Sequence, residues 1–130
     1  MQNNKQKLLL ADDDAHIRTL MKTVMQSLGF EVIVEAENGQ EAVERFQYES
    51  PDVTLLDINM PVKTGIEALA EIKKINPGAF VIMLTSLTDI NSIEQCLELG
   101  ASSYIRKDNP VVEIKSLVQE AWQDFENAGR

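Results

Sequence analysis

Five short apolar runs alternate with amphipathic stretches along the chain. The runs lie at 8–11, 31–35, 53–56, 80–84 and 103–105. All except the second are almost continuously apolar or end at a polar residue, which is typical of strands covered by helices on both faces. The pattern therefore predicts five strands, most of them buried.

The amphipathic stretches predict five helices. The first helix is indicated by apolar residues three and four apart from Ile17 to Leu28. Asp14 is in position to cap its start, and Gly29 is in position to end it. We expect these apolar stripes, including Trp122 in the last, to face the core rather than a cofactor. The other stripes lie at 42–46, 66–75, 90–97 and 114–125, and the fourth helix is expected to end near residue 100.

The alternation of strand and helix determines the expected architecture. Five units of strand followed by helix predict a parallel sheet with helices on both faces, because right-handed crossovers place them there. The fold class is therefore a doubly wound α/β domain. Ligands of such sheets bind beyond the carboxyl ends of the strands, where the strand order reverses.

Polar residues occupy the carboxyl ends of four predicted strands. Carboxylates about 4 Å apart repel by about 4 kcal/mol at an effective dielectric of 20, so acidic groups crowded there must partly protonate or hold a cation. Mg²⁺ is a suitable cation, because it binds through carboxylate oxygens at open rims. The residues are Asp12 and Asp13 after the first strand, Asp57 after the third, Thr85 after the fourth, and Arg106 and Lys107 after the fifth.

A phosphoryl group is a natural partner for such an ion. The sequence contains no Gly-rich loop of the Walker type, so a nucleoside triphosphate is not the expected carrier. A carboxylate can instead act as a nucleophile and form an aspartyl phosphate, and Asp57 stands alone on the central strand. Lys107 would then place a positive charge near the phosphoryl oxygens, and the Thr85 hydroxyl would donate a hydrogen bond.

Composition and charge narrow the function classes. The 130 residues are enough for one domain, and the net charge of -9 argues against direct binding of nucleic acid or of an anionic membrane. The single cysteine, Cys96, excludes an internal disulfide, and we expect it to be a small buried residue on a helix. No run suggests a signal peptide or a membrane span, so the cytoplasm is the expected location.

Four motifs, LLLADDD, TLLDINMP, VIMLTS and GASSYIRK, together resemble the receiver domain of two-component response regulators. The resemblance covers about residues 7–126 and implies that 1–130 form a single receiver domain. It also implies a flavodoxin-like (β/α)5 fold with a parallel sheet of strand order 2-1-3-4-5. Both a stand-alone receiver, as in chemotaxis regulators, and a piece of a longer regulator are compatible with the sequence.

The resemblance implies a role for each acidic residue. Asp57, in DINMP, matches the phosphoacceptor that takes a phosphoryl group from the phosphohistidine of a sensor histidine kinase or a phosphotransfer protein. Asp12 and Asp13 match the acid pair of a Mg²⁺ site, Asp13 as a direct ligand and Asp12 through water. Asp57 and the backbone carbonyl of Asn59 complete the implied ligand set.

The resemblance also implies a switch. Thr85 and Tyr104 match a pair in which the hydroxyl moves toward the phosphoryl group and the aromatic ring swings inward. Lys107 matches the family's lysine, because it lies three residues after Tyr104. The face formed by helix 4, strand 5 and helix 5 would then bind a downstream protein or a second copy of the chain. Such a module catalyses only its own phosphoryl transfer and dephosphorylation.

Two positions depart from the family pattern. The lysine is usually followed by a proline with a cis peptide bond, whereas here the run is KDNP, with Asp108 next and Pro110 later. A cis bond before a residue other than proline costs about 2.5 to 4 kcal/mol, so either this strain is tolerated or the loop differs. Ser86 replaces the commoner alanine after Thr85 and is still small.

Two other function classes remain open from the sequence. A constitutive interaction module that keeps the fold without phosphorylation is favoured only by the KDNP departure, and the intact set of acidic residues argues against it. A Mg²⁺-dependent phosphatase with an aspartyl intermediate usually carries D-x-D on its first strand, where this chain has DDDA. The phosphorylated signalling module is the function that the sequence favours.

Overall fold

A computed structural model describes residues 6–128 of the chain. Its five strands form one parallel sheet of order β2-β1-β3-β4-β5, which confirms the predicted fold class and strand order. The strands are β1 Lys7–Ala11, β2 Val32–Ala36, β3 Val53–Asp57, β4 Val81–Thr85 and β5 Ser103–Arg106. The helices are α1 Ala15–Ser27, α2 Gly39–Glu49, α3 Gly65–Ile75, α4 Ile93–Glu98 and α5 Val111–Ala128.

The helices cover both faces of the sheet and form two apolar cores with it. On one face α2, α3 and α4 pack over alternate strand residues such as Leu9, Leu56 and Met83. On the other face α1 and α5 pack over the neighbouring set, which includes Leu10 and Leu84. Because both faces are buried, β3 and β4 are buried along their whole length, as their continuous apolar runs predict.

Side-chain caps fix the starts of three helices. Asp14 accepts hydrogen bonds from the backbone N–H groups of His16 and Ile17, which confirms its predicted role at the start of α1. Asn38 caps α2 in the same way. A capping box that the sequence prediction missed begins α3, where Thr64 and Glu67 bond each other's backbone N–H groups.

The predicted fourth helix is partly wrong. Residues Leu87–Ser92 form a 3-10 helix, and the α-helix begins only at Ile93, so Ile90 precedes it rather than starting it. Ser86 explains part of the difference, because its hydroxyl bonds the side chains of Thr88 and Asp89 and ties this segment to the end of β4. The second strand is also shifted by one residue from its predicted range, to Val32–Ala36.

Two single residues lie where the sequence predicts them. Cys96 is fully buried in α4 with a free thiol, and Trp122 packs its ring against Phe80 and Phe125 beneath α5. None of the helices in the described part of the chain combines the length and the apolar character needed to cross a bilayer.

Candidate functional site

The carboxyl ends of β1, β3, β4 and β5 bring the predicted polar residues to one rim of the sheet. Ala11 of β1 pairs with Leu56 of β3, so Asp12 and Asp57 emerge side by side. Asp57 in turn pairs with Leu84, one residue before Thr85. The rim includes the carboxyl ends of β1 and β3, and the strand order of the sheet reverses between these two strands.

Three carboxylates form the centre of the site. Asp12, Asp13 and Asp57 each offer an oxygen within 4.8 Å of the others. Asp12 and Asp57 are almost fully buried, whereas Asp13 is exposed. One Asp12 oxygen accepts a hydrogen bond of 2.9 Å from the backbone N–H of Asp14. Hard oxygen donors grouped in this way are suited to a divalent cation.

Burial perturbs the protonation of Asp57. Desolvation, reinforced by the neighbouring charge of Asp12, raises the pKa of Asp57 from its ordinary value of 3.8 to about 7. The ammonium of Lys107 opposes both effects. The carboxyl group at the end of the central strand is therefore poised to gain or lose a proton near neutral pH.

Lys107 bridges the two buried carboxylates. Its Nζ lies 2.8 Å from Oδ2 of Asp12 and 3.0 Å from Oδ1 of Asp57. Burial alone would lower the pKa of this amine, but the two carboxylates outweigh it and raise the pKa. The ammonium therefore stays charged and neutralises part of the cluster.

The two predicted switch residues lie at the β4–β5 side of the site. Thr85 is fully buried and its hydroxyl donates a 2.9 Å hydrogen bond to the backbone carbonyl of Ser86. Tyr104 leaves 40% of its surface exposed. In this conformation the hydroxyl is bound to the backbone and the aromatic ring faces solvent.

The loop between β3 and α3 carries Asn59, which is exposed. Its two ends are joined by a 2.8 Å hydrogen bond from the Gly65 N–H to the Ile58 carbonyl. Gly65 permits a close approach, because a Cβ there would overlap the backbone carbonyl of Asp57. The absence of a side chain at Gly65 thus helps to set the backbone around Asp57.

A match to the family model of the response regulator receiver domain covers residues 8–119. The chain belongs to this family. CheY chemotaxis proteins from Halobacterium salinarum and Bacillus subtilis are 41% and 40% identical over 101 residues. These matches cover 78% of this chain and 83% and 84% of the two relatives.

Solved structures show the same fold. A CheX–CheY–BeF3–Mg²⁺ complex from Borrelia burgdorferi contains a chain with a TM-score of 0.83 and 29% identity, and the match covers 90% of this chain and 89% of that one. A CheY-like receiver from Methanospirillum hungatei has a TM-score of 0.87 and 25% identity, with 96% and 99% covered. The receiver is thus a two-component signalling module of CheY type rather than a conventional enzyme.

The loop after Lys107 answers a question that the sequence leaves open. No cis peptide bond occurs within residues 6–128, so the receiver's KDNP run has an all-trans backbone. Arg106 and Asp108 form a bidentate ion pair of 3.0 and 2.7 Å, and the Lys107 N–H donates to the Thr85 carbonyl at 2.9 Å. The loop differs from the usual family pattern, yet Lys107 reaches both acids.

Arg18 is a contributor to the site that the sequence prediction missed. Its Nη1 donates a 2.6 Å hydrogen bond to the backbone carbonyl of Asp12, and its Nε bonds Glu35 at 3.1 Å. The position carried a usable signal, because Arg18 lies one helical turn after the Asp14 cap and so faces the same rim. It stabilises the turn of the receiver that presents the acid pair.

Proposed function

We propose that this receiver domain is a phosphorylated switch in which Asp57 accepts a phosphoryl group from the phosphohistidine of a sensor histidine kinase or of a phosphotransfer protein. The observation that carries the proposal is the position of Lys107, whose Nζ lies within 3.0 Å of both Asp12 and Asp57 at the end of the central strands. The proposal treats residues 7–126 as one receiver domain acting in the cytoplasm.

The acidic cluster supports a Mg²⁺ site in this proposal. Three carboxylates within 4.8 Å of one another match the hard oxygen donors that Mg²⁺ prefers, and they belong to Asp12, Asp13 and Asp57. The backbone carbonyl of Asn59, in the adjacent loop, is the proposed third direct ligand beside Asp13 and Asp57, and Asp12 would act through water. When bound, the ion would neutralise negative charge on the phosphoryl oxygens and the carboxylates.

The proposed transfer requires an ionised Asp57. Its carboxylate oxygen forms a new bond to phosphorus while the N–P bond of the phosphohistidine breaks, and the imidazole keeps the bonding electrons and takes up a proton. The Lys107 ammonium offers a fixed positive charge beside Asp57, where negative charge accumulates. Hydrolysis of the acyl phosphate by water later restores the carboxylate, and this dephosphorylation is the module's only other reaction.

The proposed switch is the one that the family resemblance implies, and the positions of Thr85 and Tyr104 support it. Phosphorylation offers the Thr85 hydroxyl a charged acceptor, so it exchanges its bond to the Ser86 carbonyl for one to the phosphoryl group. Tyr104, now exposed, turns inward into the space that the hydroxyl leaves. The face formed by α4, β5 and α5 then changes shape and binds a downstream protein.

Intact mass spectrometry tests the proposal directly. After incubation with acetyl phosphate and Mg²⁺, we expect a single addition of roughly 80 Da, the mass of one phosphoryl group. The addition should be absent in Asp57→Asn and when EDTA replaces Mg²⁺, and it should remain in Asp13→Glu at reduced extent.

An exposed glutamate provides the matched control. Glu31→Gln removes an equal charge just before β2, at the amino ends of the strands and away from the acidic cluster, and should leave the mass shift unchanged. If the folded wild-type protein gains no mass, the constitutive interaction module becomes the better account of this receiver. An equal addition to Asp57→Asn would instead move the acceptor to another residue.

A further inference from the structure

A groove runs along the free edge of β5, between this edge strand and α5. Two cavities of about 360 Å³ each form it, and they share Ser103 and Leu117 as lining residues. One extends toward Phe80 and Phe125, and the other extends toward Tyr104. We call this continuous depression the β5–α5 groove.

Acidic residues of α5 line one wall of the groove. Glu113, Glu120 and Asp124 all line it, and their spacing of seven and four residues places them along one stripe of the helix. Within residues 6–128, none of the three takes part in an ion pair. Three carboxylates thus face the groove without a cation to balance them.

The cation among the lining residues of the groove is already neutralised. Arg106 lines the end near Tyr104, but both of its bonded nitrogens contact the carboxylate of Asp108. The groove therefore combines an apolar floor, built from Leu117 and Phe125, with a net negative wall. An occupant that buries apolar surface there must bring positive charge with it.

We propose that the β5–α5 groove binds a basic amphipathic helix of a partner protein. Apolar residues of this helix would cover Leu117 and Phe125, while Lys or Arg residues of its flank would pair with Glu113, Glu120 and Asp124. This inference deepens the proposed function by naming a class of partner. It rests on the proposed function in one respect, because it takes the face formed by α4, β5 and α5 as the output surface.

Charge and strand length favour this occupant over two others. A second copy of the chain docked symmetrically would bring the same unpaired carboxylates of Glu113, Glu120 and Asp124 against each other. An extended peptide would have only the four residues of β5 with which to form a ladder. The acidic stripe, in contrast, has the period of a helix, so a helix lying along α5 can meet it at regular intervals.

A synthetic peptide is the probe for this proposal. The peptide has 18 residues, with Leu on one helical face and Lys on the flanks, and its binding to the unphosphorylated protein is measured by fluorescence anisotropy at 0.15 M salt. A peptide of the same composition in permuted order, without helical periodicity, is the first control. We expect the periodic peptide to bind at least tenfold more tightly than the permuted one.

Charge reversal at two sites locates the binding. Glu120→Lys combined with Asp124→Lys should weaken binding of the periodic peptide at least tenfold. Glu31→Lys combined with Glu44→Lys makes the same change of net charge at exposed positions away from α5, and should change the affinity less than threefold. The Debye length of about 8 Å at this salt concentration keeps the distant charges from contributing strongly.

Each alternative outcome overturns the inference. Equal binding of the two peptides, or equal loss in the two double variants, would show general attraction to an acidic protein. A dimer in sedimentation experiments that dissociates in Glu120→Lys combined with Asp124→Lys would assign the groove to a second copy. The groove is already present in the unphosphorylated structure, so the assay tests it in that state without a phosphoryl group on Asp57. Failure of phosphorylation and failure of the groove are therefore distinguishable.

Discussion

The raised pKa of Asp57 makes a quantitative prediction about Mg²⁺ binding. With a pKa of about 7, the carboxyl group is mostly ionised at pH 8 and mostly protonated at pH 6. A metal ion binds the ionised form, so the proton must leave when the ion binds. The apparent Mg²⁺ affinity should therefore fall as the pH is lowered, by about tenfold between pH 8 and pH 6. With the ordinary aspartate value of 3.8, the affinity would barely change over this range.

Isothermal titration calorimetry with MgCl₂ at several pH values measures this effect. In buffers of different ionisation enthalpy, the same titrations also report the number of protons released. Asp57→Asn is the control, because an amide cannot titrate and the remaining pH dependence should be nearly flat. An affinity that stays within twofold between pH 8 and pH 6, in protein that remains folded, would refute the reasoning from burial.

Three further substitutions test separate parts of the structure. Lys107→Met removes the cation that holds the pKa of Asp57 down, so a carbon NMR titration should find a value above about 7, and a lower one would contradict the geometry. Thr54→Val replaces a buried hydroxyl that has no hydrogen-bond partner among residues 6–128, so the free energy of unfolding in urea should rise by about 1 kcal/mol rather than fall. Gly39→Ala places a Cβ against a backbone carbonyl of the β3–α3 loop and should lower that free energy by about 1–3 kcal/mol. Gly78→Ala, where the nearest atom to a Cβ would be Oδ1 of Asn76 at 3.4 Å, should change it little.

The sequence predicted which polar residues share the rim, because the sheet itself brings them together. In a parallel sheet all strands end at the same edge, so Asp12, Asp57 and Thr85 needed only correct strand ends to be placed side by side. The alternation of apolar and amphipathic segments supplied those ends to within one residue. No fine knowledge of side-chain conformation was required for this part of the prediction.

Features that depend on side chains outside the regular elements were harder to predict. The 3-10 segment before α4 is held by hydrogen bonds among Ser86, Thr88 and Asp89, which apolar periodicity does not report. The bond from Arg18 to the Asp12 carbonyl joins a helix to a turn, and the position of Arg18 one helical turn after the Asp14 cap was its only signal in the sequence. The ion pair between Arg106 and Asp108 also lies at an irregular loop, where apolar periodicity gives no signal.

The switch is the part of the proposal that depends most on relative energies. The Thr85 hydroxyl already has an acceptor in the Ser86 carbonyl, so phosphorylation can gain only the difference between two hydrogen bonds. A bond to a charged acceptor is worth about 1.5–3 kcal/mol and a neutral one about 0.5–1.5 kcal/mol, which leaves a difference of about 1 kcal/mol. Such a difference shifts a two-state equilibrium by about fivefold, far less than a complete switch requires. Most of the driving force must therefore come from Lys107 and the acids around it, where phosphorylation changes both charge and contacts.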